Sequence, residues 1–257
     1  MISVEHVSMS FGGIHAVQDC SLSVAKGSIT GLIGPNGAGK STLFNCIAGL
    51  YRPTSGRILL DGKDITGKKP HELFHLGLAR TFQIAHEFSH MPVIENLMLV
   101  PAGQSGEKLL SACLAWGRVR EEEAKLRKRA EEVIDFLRLG AVRYERAGNL
   151  SGGQKKLLEL GRVMMADPKV VLLDEVGAGV NRTLLAELAS DIERLNRERG
   201  YTFFVIEHDM DLIARLCDPV IVMAAGRVLT QGKMADIRKD ERVVEAYFGG
   251  AAHSEAA

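Results

Sequence analysis

The chain has 257 residues, 46% of them hydrophobic and 25% charged, and its 32 Lys and Arg balance 32 Asp and Glu to a formal net charge of +0. That length fits one large domain or two small ones with ample core, and the composition excludes a disordered, collagen-like or disulfide-stapled chain. Binding held mainly by nucleic-acid phosphates rests on excess Lys and Arg, so no nucleic-acid partner is expected.

The longest apolar runs, such as 170–173 and 220–225, fall far short of the roughly 20 residues of a membrane span. No charged n-region followed by an apolar stretch opens the chain, so nothing marks it for secretion. Cys20, Cys46, Cys113 and Cys217 are scattered without metal-ligand spacing. They read as reduced thiols of a cytosolic protein.

In chain order, 2–4, 7–9, 22–24 and 58–60 alternate apolar and polar positions between Gly-rich turns, which predicts short antiparallel strands. Residues 28–33 form a buried strand running into a Gly-rich turn, and 40–50 a helix with Leu43, Phe44, Ile47 and Ala48 on one face. The stretch 101–117 reads as a loop with a short helix. The charged segment 121–139 reads as one amphipathic helix, with Leu126, Ala130, Val133, Ile134 and Leu137 facing in. From 170 onward, strands at 170–173, 202–206 and 220–223 alternate with helices at 181–199 and 209–217, the pattern of a parallel sheet covered by helices. The small, polar residues 249–257 read as a frayed tail.

Gly34-Pro-Asn36-Gly37-Ala38-Gly39-Lys40-Ser41-Thr42 follows a predicted strand and opens a predicted helix, matching G-x-x-x-x-G-K-[ST] in the context that pattern needs. The glycines permit a turn whose N–H groups face phosphate oxygens, and the helix start adds its positive dipole end. Lys40 then supplies a cation for the β- and γ-phosphates, and Ser41 a hydroxyl for Mg²⁺. Asp174 and Glu175 end an apolar strand, where charge is costly unless paired or metal-bound. Asp174 fits a Mg²⁺ ligand acting through water, and Glu175 a base for the attacking water. His208 follows another apolar strand. In a parallel sheet the strand ends face one crevice, which would gather Lys40, Glu175 and His208.

These residues, together with Leu-Ser-Gly-Gly-Gln at 150–154, resemble the ATP-binding cassette (ABC) ATPases from about residue 2 to residue 249. The resemblance implies an α/β fold: a P-loop NTPase (RecA-like) core with a mostly parallel sheet, an N-terminal antiparallel β subdomain and an α-helical subdomain. It implies a single nucleotide-binding domain over 1–250, with the helical subdomain at about 85–160 and a flexible tail at 251–257. Carried over position by position, Phe11 is the aromatic that stacks on adenine, with Val17 beside it. Asn36, Gly37, Ala38, Gly39, Lys40, Ser41 and Thr42 bind the nucleotide. Gln83 reaches Mg²⁺ and the water, so that Ser41, Gln83 and Asp174 are the metal residues and ATP and Mg²⁺ the cofactors. Ser151, Gly152, Gly153 and Gln154 form the signature that binds the partner subunit's ATP. The segment 179–181, ending in Asn181, matches the D-loop, and His208 is the switch histidine on the γ-phosphate. Val176 departs from the Pro usual after the catalytic Glu, and Arg-Val-Met-Met at 162–165 from the usual Arg-Ala-Leu-Ala.

Phe-Gly-Gly-Ile-His-Ala-Val at 11–17, Arg-Thr-Phe-Gln at 80–83, Val-Ile-Glu-Asn-Leu at 93–97, Ile-Glu-His-Asp-Met at 206–210 and Val-Val-Glu-Ala-Tyr-Phe-Gly at 243–249 look like the branched-chain amino-acid importer ATPases. That implies an ATPase on the cytoplasmic face of the inner (plasma) membrane, working with a second cassette, with transmembrane permease subunits and, indirectly, with a solute-binding protein. The region after Gln83, with His86, Glu87 and Phe88, is the candidate permease contact. Uptake of urea or amides and lipid export are alternatives, and a soluble non-transport cassette is a weaker one. The long coiled coils of repair cassettes are missing between Lys40 and Asp174, where no heptad is sustained.

Overall fold

A computed structural model describes residues 1–81, 87–107, 116–177 and 179–248; the predicted tail at 251–257, with Gln83, His86 and Cys113, lies outside the described residues. The chain divides into two compact units, one of residues 1–80, 169–178 and 185–257 and one of residues 81–168 and 179–184.

The first unit holds two sheets. Strands β1 (Ile2–Phe11), β2 (Ile14–Val24), β4 (Ser55–Leu60) and β5 (Lys63–Asp64) form an antiparallel sheet in the order β2-β1-β4-β5. The separate strands expected at 2–4 and 7–9 are one strand. Ile2 and Val4 face the core at even positions and Val7 at an odd one. A bulge lies between them, where His6 takes φ +51° and the pairing register shifts, and this parity switch reads in sequence as a break.

The second sheet has the order β10-β9-β3-β8-β7-β6, from β3 (Ile29–Ile33), β6 (Leu78–Arg80), β7 (Val170–Asp174), β8 (Thr202–Ile206), β9 (Val220–Ala224) and β10 (Arg227–Gly232). All its pairings are parallel except β10 against β9, so the sheet is mostly parallel as expected. Strands β3, β7 and β8 are buried at every residue, which is why they read as mostly apolar runs. Helix α1 (Lys40–Ile47) lays Phe44 on Phe204 with ring centroids 4.8 Å apart. It joins the sheets in one core that includes Val17, Leu43, Ile47, Leu172 and Met223.

The second unit is mainly helical. Its helices include α3 (Val93–Met98), α4 (Trp116–Phe136) and α5 (Gly152–Ala166), while α2 (Pro70–His75) belongs to the first unit. Helix α4 buries Val119, Ala130, Val133 and Ile134. It starts five residues before the expected 121 and is over by Arg138, which adopts φ +58°. Asn96 is wholly buried, and its amide ties down the backbone of Phe88, Met91 and Pro92.

Candidate functional site

Strands β3, β8 and β7 are neighbours and share one register: Leu32 pairs with Ile206, and Ile206 with Asp174. Being parallel, they end on one edge of the sheet. Lys40 opens the helix after β3, His208 lies in the loop after β8, and Asp174 ends β7 with Glu175 next to it, so the first unit places these residues along that edge.

The loop after β3 has no room for side chains at two places. Gly34 takes φ +154°, and a Cβ there would lie 2.1 Å from the Met223 carbonyl oxygen. Gly39 takes φ +93°, and a Cβ there would lie 2.3 Å from the Ala16 carbonyl oxygen. Gly39 caps α1 without a side-chain hydrogen bond, which leaves the first-turn amides of the helix available to an anion. Asn36, Gly37 and Ser41 are exposed, Thr42 is half-buried, and Ala38 is buried. Lys40 is buried, and its ammonium donates to the carbonyl oxygens of Gly34 at 2.7 Å and Pro35 at 3.0 Å. Burial pulls its pKa below the usual lysine value, against the opposing pull of Glu175 and Asp174.

Asp174 is buried at the end of β7, and its Oδ2 accepts a hydrogen bond from Arg80 at 2.8 Å. The same guanidinium donates to Oδ1 of Asn45 on α1. Arg80 was not singled out from the sequence. It neutralises Asp174 and ties the strand end to the phosphate-loop helix. Removing one member of a buried pair leaves a buried charge. Arg80→Met is expected to destabilise the protein by about 3–5 kcal/mol, a drop of roughly 6–20 °C in melting temperature by scanning calorimetry. A drop under about 2 °C would show the pair to be dispensable.

Glu175 has φ +49°, a conformation that non-glycine residues rarely hold and that concentrates at functional sites. Its N–H donates to Ile206 O at 3.0 Å, and its Oε1 lies 3.1 Å from Nε2 of the half-exposed His208. A carboxylate hydrogen-bonded to an imidazole beside a buried ammonium and a helix start can bind a polyphosphate and take a proton from water. Glu207, also unassigned from sequence, is buried behind this pair.

Phe11 is 43% exposed and meets Tyr51 edge to face, with centroids 5.3 Å apart, so its ring has a free surface and a prop. Val17 is wholly buried in the core, and its side chain offers no such surface. In the second unit, Ser151 caps the 15-residue helix α5 in a reciprocal box: its Oγ accepts from the Gln154 N–H, and Gln154 Oε1 accepts from the Ser151 N–H. Ser151 and Gly152 are exposed, and Gly153 sits against Leu184. Asn181 accepts from the Leu184 N–H at the start of α6 (Arg182–Arg199). Gln83 lies outside the described residues.

Residues 17–178 match the family model described as ABC transporter, and residues 227–253 the one described as branched-chain amino acid ATP-binding cassette transporter. The chain is 40% identical to the probable branched-chain amino acid transport ATP-binding protein LivG of Archaeoglobus fulgidus, over 97% of this chain and 95% of that one. It is similar to the crystal structure of the ADP conformation of MJ1267, an ATP-binding cassette of an ABC transporter, with a TM-score of 0.82, 35% identity and 97% and 98% of the two chains covered. It is also similar to the dimeric post-hydrolysis state of the ATP-binding cassette MJ0796 bound to ADP and Pi, with a TM-score of 0.72, 25% identity and 91% and 99% coverage. The chain belongs to the ABC transporter family, as an ATP-binding cassette with ATPase activity.

Proposed function

We propose that this chain is the ATP-hydrolysing subunit of a membrane importer of branched-chain or other hydrophobic amino acids. It works as half of a cassette dimer on the cytoplasmic face of the inner (plasma) membrane. The observation that carries the hydrolytic part is the Glu175–His208 pair, 3.1 Å apart at the end of strands adjoining the Lys40 loop. The solute follows the names of the relatives and the match of residues 227–253.

In this reading the base of ATP stacks on Phe11, and the triphosphate lies along 36–42 with Lys40 on its β- and γ-oxygens. Glu175 accepts the proton of the water whose oxygen attacks the γ-phosphorus, while ADP departs. His208 holds the γ-phosphate and orients Glu175. Mg²⁺ fits the donor set. Among the described residues no cluster of three or more His, Cys, Asp or Glu could cage an ion. One hydroxyl, Ser41, and one carboxylate, Asp174, suit a cation that is also held by phosphates and water. Gln83 completes the set by resemblance. When bound, the ion neutralises the β- and γ-oxygens. Ser151 and the first amides of α5 serve the ATP of the second cassette, so ATP bridges two subunits and hydrolysis removes the bridge.

Among the described residues no helix is long and apolar enough to cross a membrane, so permease partners supply the path. Phe88, 50% exposed with the Arg162 guanidinium 5.6 Å from its ring centre, is the proposed permease contact. Co-purification of the tagged chain from solubilised membranes and ATP-driven uptake of labelled leucine in liposomes test this reading. Phe88→Asp is expected to lower permease recovery about tenfold, a loss of about 1.4 kcal/mol, with ATPase of the isolated cassette unchanged. Unchanged recovery would place the contact elsewhere, and uptake of urea or amides without amino acids would overturn the solute.

A further inference from the structure

Glu207 has no role in the function argued so far, yet its placement is unusual. Its side chain is buried, at 4% exposure, one residue before His208. One carboxylate oxygen, Oε1, accepts the N–H of Gly177 at 2.6 Å, and the other, Oε2, accepts the N–H of His208 at 3.1 Å. Gly177 stands two residues after Glu175. The single side chain therefore spans the two loops that carry the Glu175 carboxylate and the His208 imidazole.

A buried carboxylate is expensive unless several donors satisfy it. Here burial pushes its pKa up, the backbone N–H groups of Gly177 and His208 pull it down, and the neighbouring Glu175 charge adds to the rise. A neutral side chain would suit such burial better, so the charge answers a need for two acceptor oxygens. Only a carboxylate meets N–H donors on both oxygens without turning a hydrogen toward either of them. The need is local. Val176 occupies the place between Glu175 and Gly177, where no ring restricts the backbone as proline would. The chain after Glu175 is tied down instead by the bond from Gly177 to Glu207.

We propose that Glu207 is a positioning residue that clamps the Glu175 loop to the His208 loop and so sets the separation of base and histidine. This rests on the reading of Glu175 as base. The clamp does not touch the Lys40 loop, which carries most of the phosphate contacts, so its loss acts on turnover far more than on nucleotide affinity.

Two variants separate the clamp from the charge. Glu207→Gln keeps the shape but turns an amide hydrogen toward a backbone N–H. Gly177→Ala keeps the charge but adds a Cβ 3.3 Å from Oε1, which crowds the bond. The wild type first establishes ATP hydrolysis; its failure to hydrolyse would overturn the parent reading rather than the clamp. With hydrolysis established, Glu207→Gln is expected to lower kcat about 10–100-fold, with KM for ATP and fluorescent-nucleotide affinity within twofold. Gly177→Ala is expected to lower kcat about threefold or more with the same split. An unchanged kcat in Glu207→Gln, or a KM that rises together with the fall in kcat, overturns the proposal. So does a full-rate Gly177→Ala beside a slow Glu207→Gln, because the effect then belongs to the charge. Should circular dichroism show Glu207→Gln unfolded, Gly177→Ala alone decides.

Discussion

Glu175→Gln is expected to bind ATP as the wild type does while turnover falls about 10³-fold, within the range general-base catalysis contributes. The substitution is nearly isosteric, and its amide keeps a hydrogen bond to His208. What it removes is the proton acceptor. On the proposed reading affinity is preserved because the triphosphate is held from a different strand: Lys40 and the amides of α1 follow β3, whereas Glu175 follows β7. One negative charge fewer beside the phosphates reduces repulsion, so affinity holds or rises. If ATP bridges two subunits, blocked hydrolysis leaves the bridge in place. The variant is then expected to form a dimer with ATP but not with ADP, measured by size-exclusion chromatography with light scattering. Turnover within tenfold of wild type would move the base to another residue. A stalled ATPase that stays monomeric with ATP would keep the base and remove the bridge.

The legible parts of this chain are those where local chemistry allows one answer. Strands β3, β7 and β8 are buried throughout, and mostly apolar runs ended by glycine or acid show that directly. The tight turn at 34–39 is legible because Gly34 and Gly39 stand where backbone atoms lie too close for any side chain. Strand β6 was not legible, since three residues carry no period. Strand β1 looks like two strands in sequence because its bulge reverses which parity faces inward. The second layer of the site was hidden for a different reason. Arg80 meets a partner 94 positions away and Glu207 one 30 positions away, so neither has a local signal. Both lay inside segments whose resemblance was noted, yet resemblance assigns a role only where a family motif names one. Val17 shows the converse: its position suggested a place beside the base, and the fold uses its side chain as core.

Lys40→Met separates stability from function. On the proposed reading, two charge-assisted hydrogen bonds to the β- and γ-oxygens contribute roughly 3–6 kcal/mol together, so ATP affinity is expected to fall about 10²–10⁴-fold. The fold should lose little. The buried ammonium has a pKa below its unfolded value, because burial disfavours the charged form. The unfolded chain therefore binds the proton more tightly, and between the folded pKa and the usual lysine value stability rises with pH. Below that window, including neutral pH, the charge works against folding, and an uncharged side chain of similar length removes that cost. The opposing loss is the donor to the Gly34 and Pro35 carbonyls. Pro35 is half-buried, so water replaces the donor there, whereas the buried Gly34 carbonyl loses its ammonium partner. The two effects offset, and the melting temperature of the nucleotide-free protein is expected to stay within about 4 °C of wild type. Added Mg·ATP should raise the wild-type melting temperature and leave that of Lys40→Met in place, since only a ligand that binds the folded state shifts it. Calorimetric titration and scanning calorimetry on one preparation measure both quantities. Affinity within threefold of wild type would remove Lys40 from the phosphate site, and a melting temperature lowered by more than about 10 °C would make it a structural lysine instead.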